Sequence, residues 1–442
     1  MDMKTAFYSA KQMLRPMPSR LLAELRERER KSLDEIAAIN WRRRMDLLAS
    51  ATRTKFYRKR FADIGLEIGD VKDEKDWERI PVLTRHDVQE HLEEMVRDDV
   101  DRRKLGVTTT GGSTGQPLKL YRPTGLPFDA FAARMLGWWN VEMWENSCYI
   151  FRHGYKGWRK MVNDLMWWPT KREFLNAANM DDEKCAEFYG RICRMEPKLL
   201  VGYVGAVSKF AEYLIRAKKT LPFRMKAAWT TSAPLPEPLR ANLQSVFGCP
   251  VYSQYGCCEV GHLAAECACR TGMHIHSDWR HLEIVDDDGL HVPVGERGRV
   301  LVTDMLVPEV PLIRYALGDC GRLMKEKCAC GNNLPLMAPV SGRVSEGFSM
   351  PDGSRLSGDY LTTIFDKYPD AIRGFRVHQR KDYSIDVEYI PRDAGVLKTA
   401  LEDAKRNLGD ATKMQVEVRF APVNVIPHDC GKTRYVTTEV KP

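Results

Sequence analysis

The spacing of apolar residues along the chain predicts alternating helices and buried strands. Residues 20–52 carry apolar side chains at three- and four-residue intervals without an internal proline or glycine, which predicts a helix. Similar spacing predicts helices over residues 125–145 and 181–217, and a shorter helix after Thr84, whose hydroxyl suits an N-cap. Short runs rich in β-branched or apolar residues predict strands at LKLY, SCYIF, KLLVGY, MKAAWTTS and CPVYSQYG. Helices that alternate with buried strands are typical of an α/β domain.

The pattern becomes strand-rich from about residue 279 and changes again over the last hundred residues. HLEIV, GRVLVTDM and PLIRYAL predict closely spaced strands. Further along, FRVHQRKDYSIDVEYI alternates with period two, VLKTALEDAKRNL is amphipathic with helical spacing, and MQVEVRFAPV fits another strand. This β-β-α-β order predicts a small α+β domain.

Length and composition indicate an ordinary globular protein of more than one domain. A chain of 442 residues exceeds what one hydrophobic core usually supports. No run approaches the roughly 18 apolar residues of a membrane helix, and the N-terminus lacks the apolar core of a signal peptide. The 12 cysteines in so long a chain do not suggest a secreted disulfide scaffold. We therefore expect a cytoplasmic protein without a transmembrane segment.

The net charge of +8 is concentrated near the N-terminus, because residues 1–60 hold 16 Lys/Arg against 7 Asp/Glu. A pair of helices with solvated faces is the simpler interpretation, and an anionic partner or membrane surface is the alternative. The charge alone does not indicate a nucleic-acid partner, and none is expected.

A loop-like segment at residues 107–119, VTTTGGSTGQPLK, combines hydroxyl side chains with glycines. Glycines allow close approach of the backbone, and successive N–H groups form concave anion sites, so phosphate is the expected ligand. A Walker loop is excluded because Gly115 is followed by Gln116 and Pro117, and the G-x-G-x-x-G spacing is also missing. An ordinary surface loop is the alternative.

Four further motifs follow this segment in order, and together they resemble a known superfamily. They are SQYGCCEVG (253–261), IRYALGDCGRL (313–323), GRVSEG (342–347) and HDCGKTRYV (428–436). With TTTGGSTGQP they resemble the acyl-adenylate-forming superfamily of acyl-CoA synthetases, luciferases and peptide-synthetase adenylation domains. The phenylacetate–CoA ligase branch, with relatives from capsular-polysaccharide loci, matches better. TRTKFYRKRF, IPVLTRHDVQEHL and KLLVGYVGAVSKFAEYL resemble that branch, from about residue 40 to the C-terminus.

The resemblance implies an α/β fold with two domains. The first is a large adenylate-forming domain of β-sheets flanked by helices, at residues 1–343, which includes a basic helical region at 1–60. The second is a small mobile α+β domain at residues 344–442. The implied reaction uses ATP and Mg²⁺ to convert a carboxylic acid into acyl-AMP and pyrophosphate, and then passes the acyl group to coenzyme A. An amine or a carrier-protein thiol is the alternative acceptor, and an inactive zinc-stabilised binding protein is the alternative of another class. The acid and homodimer formation stay open.

The same resemblance implies roles for individual residues that bind the nucleotide. The loop would hold the departing pyrophosphate through Thr109, Thr110, Gly111, Gly112, Ser113, Thr114 and Gly115. Tyr255 and Gly256 would lie beside adenine, and Asp319 would accept hydrogen bonds from the ribose hydroxyls. Two departures from the usual motifs are Cys258, where Thr or Ser is common, and Glu346, where Asp is common.

Three charged residues would act on the reaction itself, again as the resemblance implies. Glu259 would ligate Mg²⁺, a hard cation suited to carboxylate oxygen. Arg343 would stand beside the nucleotide and the hinge. Lys432 would bridge the carboxylate and phosphate oxygens during adenylation, as a point charge on a swinging domain.

Two Cys-x-Cys pairs about sixty residues apart suggest a metal site: Cys267, Cys269, Cys328 and Cys330. Four thiolates suit a tetrahedral Zn²⁺ site, although ligand pairs usually stand further apart in sequence. Four ordinary buried thiols are the alternative. The resemblance implies a structural zinc here, with His262 and His274 as reserve ligands should Cys269 point away.

Six of the ten tryptophans fall within residues 138–168. Such a density fits an aromatic-acid pocket, but helix packing or a subunit interface explains it equally well.

Overall fold

The computed structural model describes residues 16–440, apart from 110–117, 152–156, 178–179, 341–346, 354, 357–360, 362–363, 366–367, 369–370, 427, 430–431 and 434–435. The α-helices in these residues are α1 (Pro16–Arg28), α2 (Leu33–Ala51), α3 (Lys55–Asp63), α4 (Glu74–Glu78), α5 (Arg85–His91), α6 (Phe128–Trp138), α7 (Trp158–Trp167), α8 (Asp182–Met195), α9 (Val204–Arg216), α10 (Glu237–Phe247) and α11 (Ala394–Ala411). Short 3₁₀ turns lie at Ile68–Asp70 and Arg102–Lys104.

The strands of the described residues fall into a first set, β1 (Leu105–Thr109), β2 (Lys119–Pro123), β3 (Ser147–Phe151), β4 (Arg172–Asn176), β5 (Leu199–Tyr203), β6 (Ala227–Thr231) and β7 (Val251–Cys257). A second set follows, β8 (Gly261–Glu266), β9 (Met273–Ile275), β10 (Arg280–Val285), β11 (Arg297–Asp304), β12 (Leu312–Arg322) and β13 (Leu336–Met337). The last set is β14 (Phe348–Ser349), β15 (Arg355–Leu356), β16 (Ile372–Gln379), β17 (Ile385–Pro391), β18 (Val418–Pro422), β19 (His428–Asp429), β20 (Lys432–Thr433) and β21 (Val436–Thr438).

Contacts divide the chain into two compact units. Among the described residues, the first unit comprises Leu136–Gln254 and Ser341–Pro442, and the second comprises Arg15–Met135 and Tyr255–Val340. The domain boundary expected at 343/344 stays a prediction, and contacts group residues 341–442 with residues 136–254.

The first unit is built on a parallel sheet. β3 pairs with β4 and β5, β5 pairs with β6, and β6 pairs with β7, so the order is β4-β3-β5-β6-β7. β5 and β6 are buried over four of five residues each, which explains why KLLVGY and MKAAWTTS are continuous apolar runs. Helices α8, α9 and α10 connect these strands along the chain, and the α/β prediction is confirmed.

Two predicted helices are shorter than their apolar spacing indicated. Residues 181–217 contain α8, strand β5 and α9 rather than one helix. The helix expected over 125–145 is α6 alone, and Asn140 just beyond it has a left-handed φ of 56°. The strand predicted at KLLVGY is β5, and it divides the helix predicted over residues 181–217.

The carboxyl-terminal part of the first unit has the expected β-β-α-β order. β16 and β17 are antiparallel, α11 follows, and β18 pairs with β17 while β21 pairs with β16, both in parallel. α10 lies against β16, and the backbone of β20 lies against α9. A shared apolar core includes Phe210 of α9 and Phe375 of β16.

The second unit begins with helices whose ends are set by capping residues. Ser32 accepts a hydrogen bond from Glu35 N at 3.2 Å, and the Glu35 carboxylate accepts one from Ser32 N at 2.8 Å. This capping box starts α2 and separates it from α1, so the single helix predicted over 20–52 is two helices. Thr84 caps α5 in the same way with Asp87, as predicted.

The sheets of the second unit are antiparallel. β10, β11 and β12 form one sheet, β9 pairs with β8 and with β13, and β1 pairs with β2. The strand-rich pattern expected from residue 279 is therefore confirmed. Among the described residues no helix is long and apolar enough to span a bilayer, and the cytoplasmic location stays a prediction.

The tryptophan-rich segment contains both buried and exposed tryptophans. Trp139 stacks on Tyr252 with ring centroids 5.2 Å apart, and its edge meets Trp229 at 5.6 Å. All three rings are buried, so this part of the segment belongs to the core of the first unit. Trp158, in contrast, is 69% exposed.

Candidate active site and metal centre

A tight turn between β7 and β8 carries Glu259, and two features hold its shape. Gly261 has a φ of 85°, and a Cβ there would lie 2.5 Å from Cε1 of Phe128, so only glycine fits. Arg280 donates to the carbonyl of Val260 at 2.8 Å, directly after Glu259. The turn that carries the carboxylate is therefore held from within the unit.

Arg280 is a fully buried anchor for this turn. It pairs with Asp304 at 2.8 Å, and neither side chain is more than 2% exposed. Burial lowers the pKa of Arg280, while the charge of Asp304 opposes that shift. The pair is charge-balanced, which a buried guanidinium requires.

Arg85 stands beside Glu259, with 3.7 Å between the guanidinium and the carboxylate. It is the first residue of α5. The preceding segment is fixed by Leu83, which donates to Arg314 O at 3.0 Å and accepts from Ala316 N at 2.9 Å. Arg85 was not singled out from the sequence, although it lies inside the quoted run IPVLTRHDVQEHL.

Tyr255 and Asp319, from two motifs 64 residues apart, are joined by a hydrogen bond. The Tyr255 hydroxyl donates to Asp319 Oδ2 at 2.7 Å. Burial and the charge of Asp319 raise the pKa of Tyr255 well above its usual range, so the phenol keeps its proton. Gly318 before Asp319 has a φ of 77°, which a side chain disfavours. The structure thus brings together two residues expected to bind one nucleotide.

Cys257, the last residue of β7, is not poised for nucleophilic chemistry. Burial and the nearby charge of Glu259 raise the pKa of Cys257 well above its usual range. A thiol held protonated in this way is a poor nucleophile. Covalent catalysis by Cys257 is therefore disfavoured at neutral pH.

The expected phosphate loop connects β1 to β2. Thr109 ends β1 and pairs with Lys119 at the start of β2. Leu118 and Leu120 belong to the same buried cluster as Val260 of the Glu259 turn. Six predicted residues of this loop lie outside the described residues: Thr110, Gly111, Gly112, Ser113, Thr114 and Gly115.

Of the remaining predicted site residues, Gly256 lies in β7, and Lys432 belongs to the first unit. Lys432 lies in β20, where its backbone pairs with Asp429 of β19. Arg343 lies outside the described residues, as does Glu346. The roles of Lys432 and Arg343 stay predictions.

Three of the four predicted zinc ligands meet, together with a histidine, in the second unit. The ligand atoms of Cys267, His274, Cys328 and Cys330 all lie within 4.8 Å of one another. The Sγ atoms of Cys267 and Cys328 are 3.4 Å apart, and Cys330 Sγ is 3.3 Å from His274 Nε2. A tetrahedron with Zn–S bonds of about 2.3 Å has edges of about 3.8 Å, so the set fits a Cys₃His site.

The surroundings of the cluster orient its ligands. Leu334 O lies 3.2 Å from Nδ1 of His274, which leaves Nε2 facing the thiols. Burial raises the pKa of Cys328, but hydrogen bonds, of which the one from Thr271 contributes most, lower it to about 7. Burial raises the pKa of Cys267 and Cys330. Cys267 and Cys330 would therefore lose their protons only with a cation nearby.

The predicted ligand set changes at one position, because Cys269 is exposed and does not join the cluster, whereas the reserve ligand His274 does. The other reserve ligand, His262, lies near the ring of Phe128, and burial lowers its pKa to about 4. Cys328 and Cys330 have the same Cys-x-Cys spacing and both join the cluster, so the spacing alone does not decide which cysteines meet a metal ion.

A second histidine–carboxylate group is a structural network rather than a metal site. Glu283 accepts hydrogen bonds from Arg314 at 2.9 Å, His291 at 2.9 Å and Trp77 at 3.2 Å. Burial opposes ionisation, but His291, His281 and Arg314 lower the pKa of Glu283 to about 2. The guanidinium of Arg314 already supplies the positive charge that a metal ion would bring.

Comparisons with curated proteins find distant relatives. The chain is similar to the protein CapK of Staphylococcus aureus, 23% identical over 260 residues that cover 56% of this chain and 54% of CapK. It is also similar to the phenylacetate-coenzyme A ligase of Thermus thermophilus, 22% identical over 353 residues that cover 76% of each chain. The match thus spans about half the length of CapK, and no family model matches the chain.

Solved structures match nearly the whole chain. 2-Hydroxyisobutyryl-CoA ligase in the postadenylation state, in complex with R3-HIB-AMP, has a TM-score of 0.74 at 17% identity and covers 94% of this chain and 91% of its own. The chain has the fold of the adenylate-forming ligases. The same ligase with 2-HIB-AMP and CoA in the thioesterification state has a TM-score of 0.62 at 18% identity. This match covers 94% of this chain and 92% of the ligase. The anthranilate CoA ligase AuaEII has a TM-score of 0.53 at 15% identity. This match covers 76% of this chain and 67% of AuaEII.

The adenylate-forming fold confirms the resemblance that the ordered motifs indicated. The confirmed part is the architecture, together with the similarity to the phenylacetate–CoA ligase branch and to CapK. The substrate and the acceptor of this chain are matters of proposal.

Proposed function

We propose that the protein is an ATP-dependent ligase that activates a carboxylic acid as acyl-AMP, releases pyrophosphate and transfers the acyl group to coenzyme A. The observation that carries this proposal is the meeting of Tyr255, Asp319, Glu259 and Arg85 in the second unit of an adenylate-forming fold. Coenzyme A is proposed as acceptor because the curated relative is a coenzyme A ligase and a matching structure holds CoA.

The proposed roles follow from charge and hydrogen-bonding capacity. Attack of a carboxylate on ATP joins two anions, so the site must position them and neutralise charge at the α-phosphate. Asp319, which accepts a hydrogen bond from Tyr255, is proposed to accept hydrogen bonds from the ribose hydroxyls as well, since a carboxylate can accept several. Arg85 is placed to neutralise phosphate oxygens near Glu259.

Glu259 is proposed to hold Mg²⁺. It lies at a turn, is 13% exposed, and offers one carboxylate, which suits a cation that binds one or two carboxylates plus substrate phosphates. When bound, the ion would neutralise charge on the phosphates. Lys432 is proposed to supply the further positive charge during adenylation, and the loop at 109–115 to hold the departing pyrophosphate.

We also propose a structural zinc ion held by Cys267, His274, Cys328 and Cys330. The cluster ties the chain near residues 267–274 to the segment at 328–330. Three thiolates and one imidazole suit zinc, and no open coordination position is needed for a structural role.

The test of the proposed reaction is a screen of carboxylic acids with ATP, Mg²⁺ and coenzyme A, followed by mass spectrometry of the products. AMP, pyrophosphate and an acyl-CoA are expected for at least one acid. Formation of ADP and phosphate would contradict the reaction class. Acyl-AMP that reacts with an amine but not with coenzyme A would contradict only the acceptor, since adenylation would stand.

A further inference from the structure

Helix α7 presents its apolar side to solvent. Among the described residues, fourteen large hydrophobic side chains are exposed, and six of them fall within residues 158–168. Their exposed fractions are Trp158 69%, Met161 68%, Val162 41%, Leu165 77%, Met166 50% and Trp168 53%. The first five stand at intervals of three and four residues, so they share one face of the helix.

The side of α7 that faces the protein carries the polar side chain of Asn163 and the ring of Trp167. Asn163 is only 6% exposed. Trp167 is half-buried, and its ring contacts the guanidinium of Arg172 with 3.5 Å between Cζ and the ring centroid. An ordinary surface helix has the opposite arrangement, with its apolar stripe toward the core. The orientation of α7 therefore leaves an apolar surface that monomeric soluble proteins rarely expose.

Basic residues flank this apolar face along the chain. Residues 157–172 include four basic residues and one acidic residue. Arg159 and Lys171 are exposed, and the single acidic residue, Asp164, is paired with Lys160 at 2.6 Å. Tryptophan at the ends, aliphatic residues between and Lys/Arg at the flanks are the features of helices that lie in the interface of a bilayer.

We propose that α7 binds the surface of a bilayer that contains anionic phospholipids, with its apolar face in the headgroup region. The helix has ten residues and is about 15 Å long, half the thickness of a hydrocarbon core, so it lies on the membrane and does not cross it. Anionic headgroups are complementary to Arg159 and Lys171. The proposal is independent of the proposed ligase reaction.

A second copy of the chain is the less favourable occupant of this face. In a symmetric dimer the same patch contacts itself, so the basic residues around α7 would meet those of the partner. Like charges placed together at an interface oppose association. A lipid surface of opposite charge has no such cost.

The test is co-sedimentation of the purified full chain with vesicles of phosphatidylcholine alone, or of phosphatidylcholine mixed with phosphatidylglycerol. Binding is expected for the anionic vesicles, and it should weaken as salt is raised. Leu165→Glu should weaken binding by at least about tenfold, since it replaces an inserted apolar group with a charge. Leu290→Glu is the matched control, because Leu290 is also exposed, at 49%, but lies in the second unit. That variant should bind like the parent.

Three results would overturn the proposal. One is the absence of sedimentation with anionic vesicles, and another is equal binding by Leu165→Glu and the parent protein. The third combines two observations: the parent fails to bind vesicles, and analytical ultracentrifugation shows a dimer that Leu165→Glu dissociates. That result would assign the face to a second copy of the chain. Because residue 165 is exposed, folding of the variant is expected to be unchanged, and circular dichroism checks this.

Discussion

At the scale of single residues, the sequence motifs identified the candidate site residues, but they did not identify the side chains that hold those residues in place. Tyr255, Glu259 and Asp319 were named from sequence order, and the structure places the first and third in hydrogen-bond contact. Arg280, which holds the carbonyl after Glu259, comes from a strand that pairs elsewhere in the chain. No local pattern marks a buried arginine as an anchor, since its partners are set by tertiary packing.

Lys432→Ala tests the proposed role of a single mobile charge. If Lys432 stabilises only the adenylation transition state, the variant should slow acyl-AMP formation by about 10²–10³, with folding and ATP binding nearly intact. Transfer to coenzyme A from preformed acyl-AMP should be affected much less. Stopped-flow or quenched assays of the two half-reactions measure both steps. Lys398→Ala is the control, because Lys398 is exposed on α11. Equal loss in both half-reactions would refute this role.

His276 predicts a pH dependence of stability. It is fully buried, and burial together with Arg134 lowers its pKa well below the usual value. Below about pH 6.5 the unfolded chain binds this proton and the folded chain does not, so the free energy of unfolding decreases as pH falls. The slope from one such histidine approaches about 1.4 kcal/mol per pH unit.

Urea denaturation between pH 7 and pH 5 measures this slope. His276→Gln should show a shallower decrease than the parent, even though the substitution itself lowers stability. His86→Gln, at an exposed position, should keep the parental slope. An unchanged slope in His276→Gln would show that this histidine is not held neutral by the fold.

At the scale of elements, existence and type were predictable where patterns were long, and ends were predictable where a cap was present. The Thr84 cap of α5 and the β-β-α-β order of the last hundred residues are confirmed. The Ser32–Glu35 capping box was in the sequence but was read as part of one helix over 20–52. The orientation of α7 was not predictable, because apolar spacing indicates a face but not whether that face meets the core or solvent.

The proposed zinc cluster is a prediction at the scale of elements, because it joins β9 and the segment before it to the segment at 328–330. His274→Ala should lower the zinc content from about one per chain and reduce stability strongly, since structural zinc contributes roughly 10–16 kcal/mol of apparent binding energy in small domains. Elemental analysis and thermal unfolding measure both. Cys269→Ala is the matched control and should keep zinc and stability, because Cys269 is exposed and outside the cluster. Loss of zinc in Cys269→Ala with retention in His274→Ala would reverse the assignment.

At the scale of the whole molecule, the ordered motifs were more informative than composition. Composition and length restricted the chain to a globular protein of more than one domain, while five short motifs in order indicated the adenylate-forming fold that covers 94% of the chain. The acid was not predictable, since the aromatic residues expected in a pocket include a buried stack of Trp139 on Tyr252. Specificity depends on the shape of a cavity, which no periodicity encodes.

The measurement that tests the central claim most directly is acid-dependent exchange of labelled pyrophosphate into ATP, which requires adenylation but no acceptor. With its acid and Mg²⁺, the parent protein should catalyse exchange, and Glu259→Gln should reduce the rate by about 10²-fold or more. Glu296→Gln, an exposed position of the same unit, should exchange at the parental rate. Absence of exchange with an acid that the protein converts to another product, or full exchange by Glu259→Gln, would contradict the account.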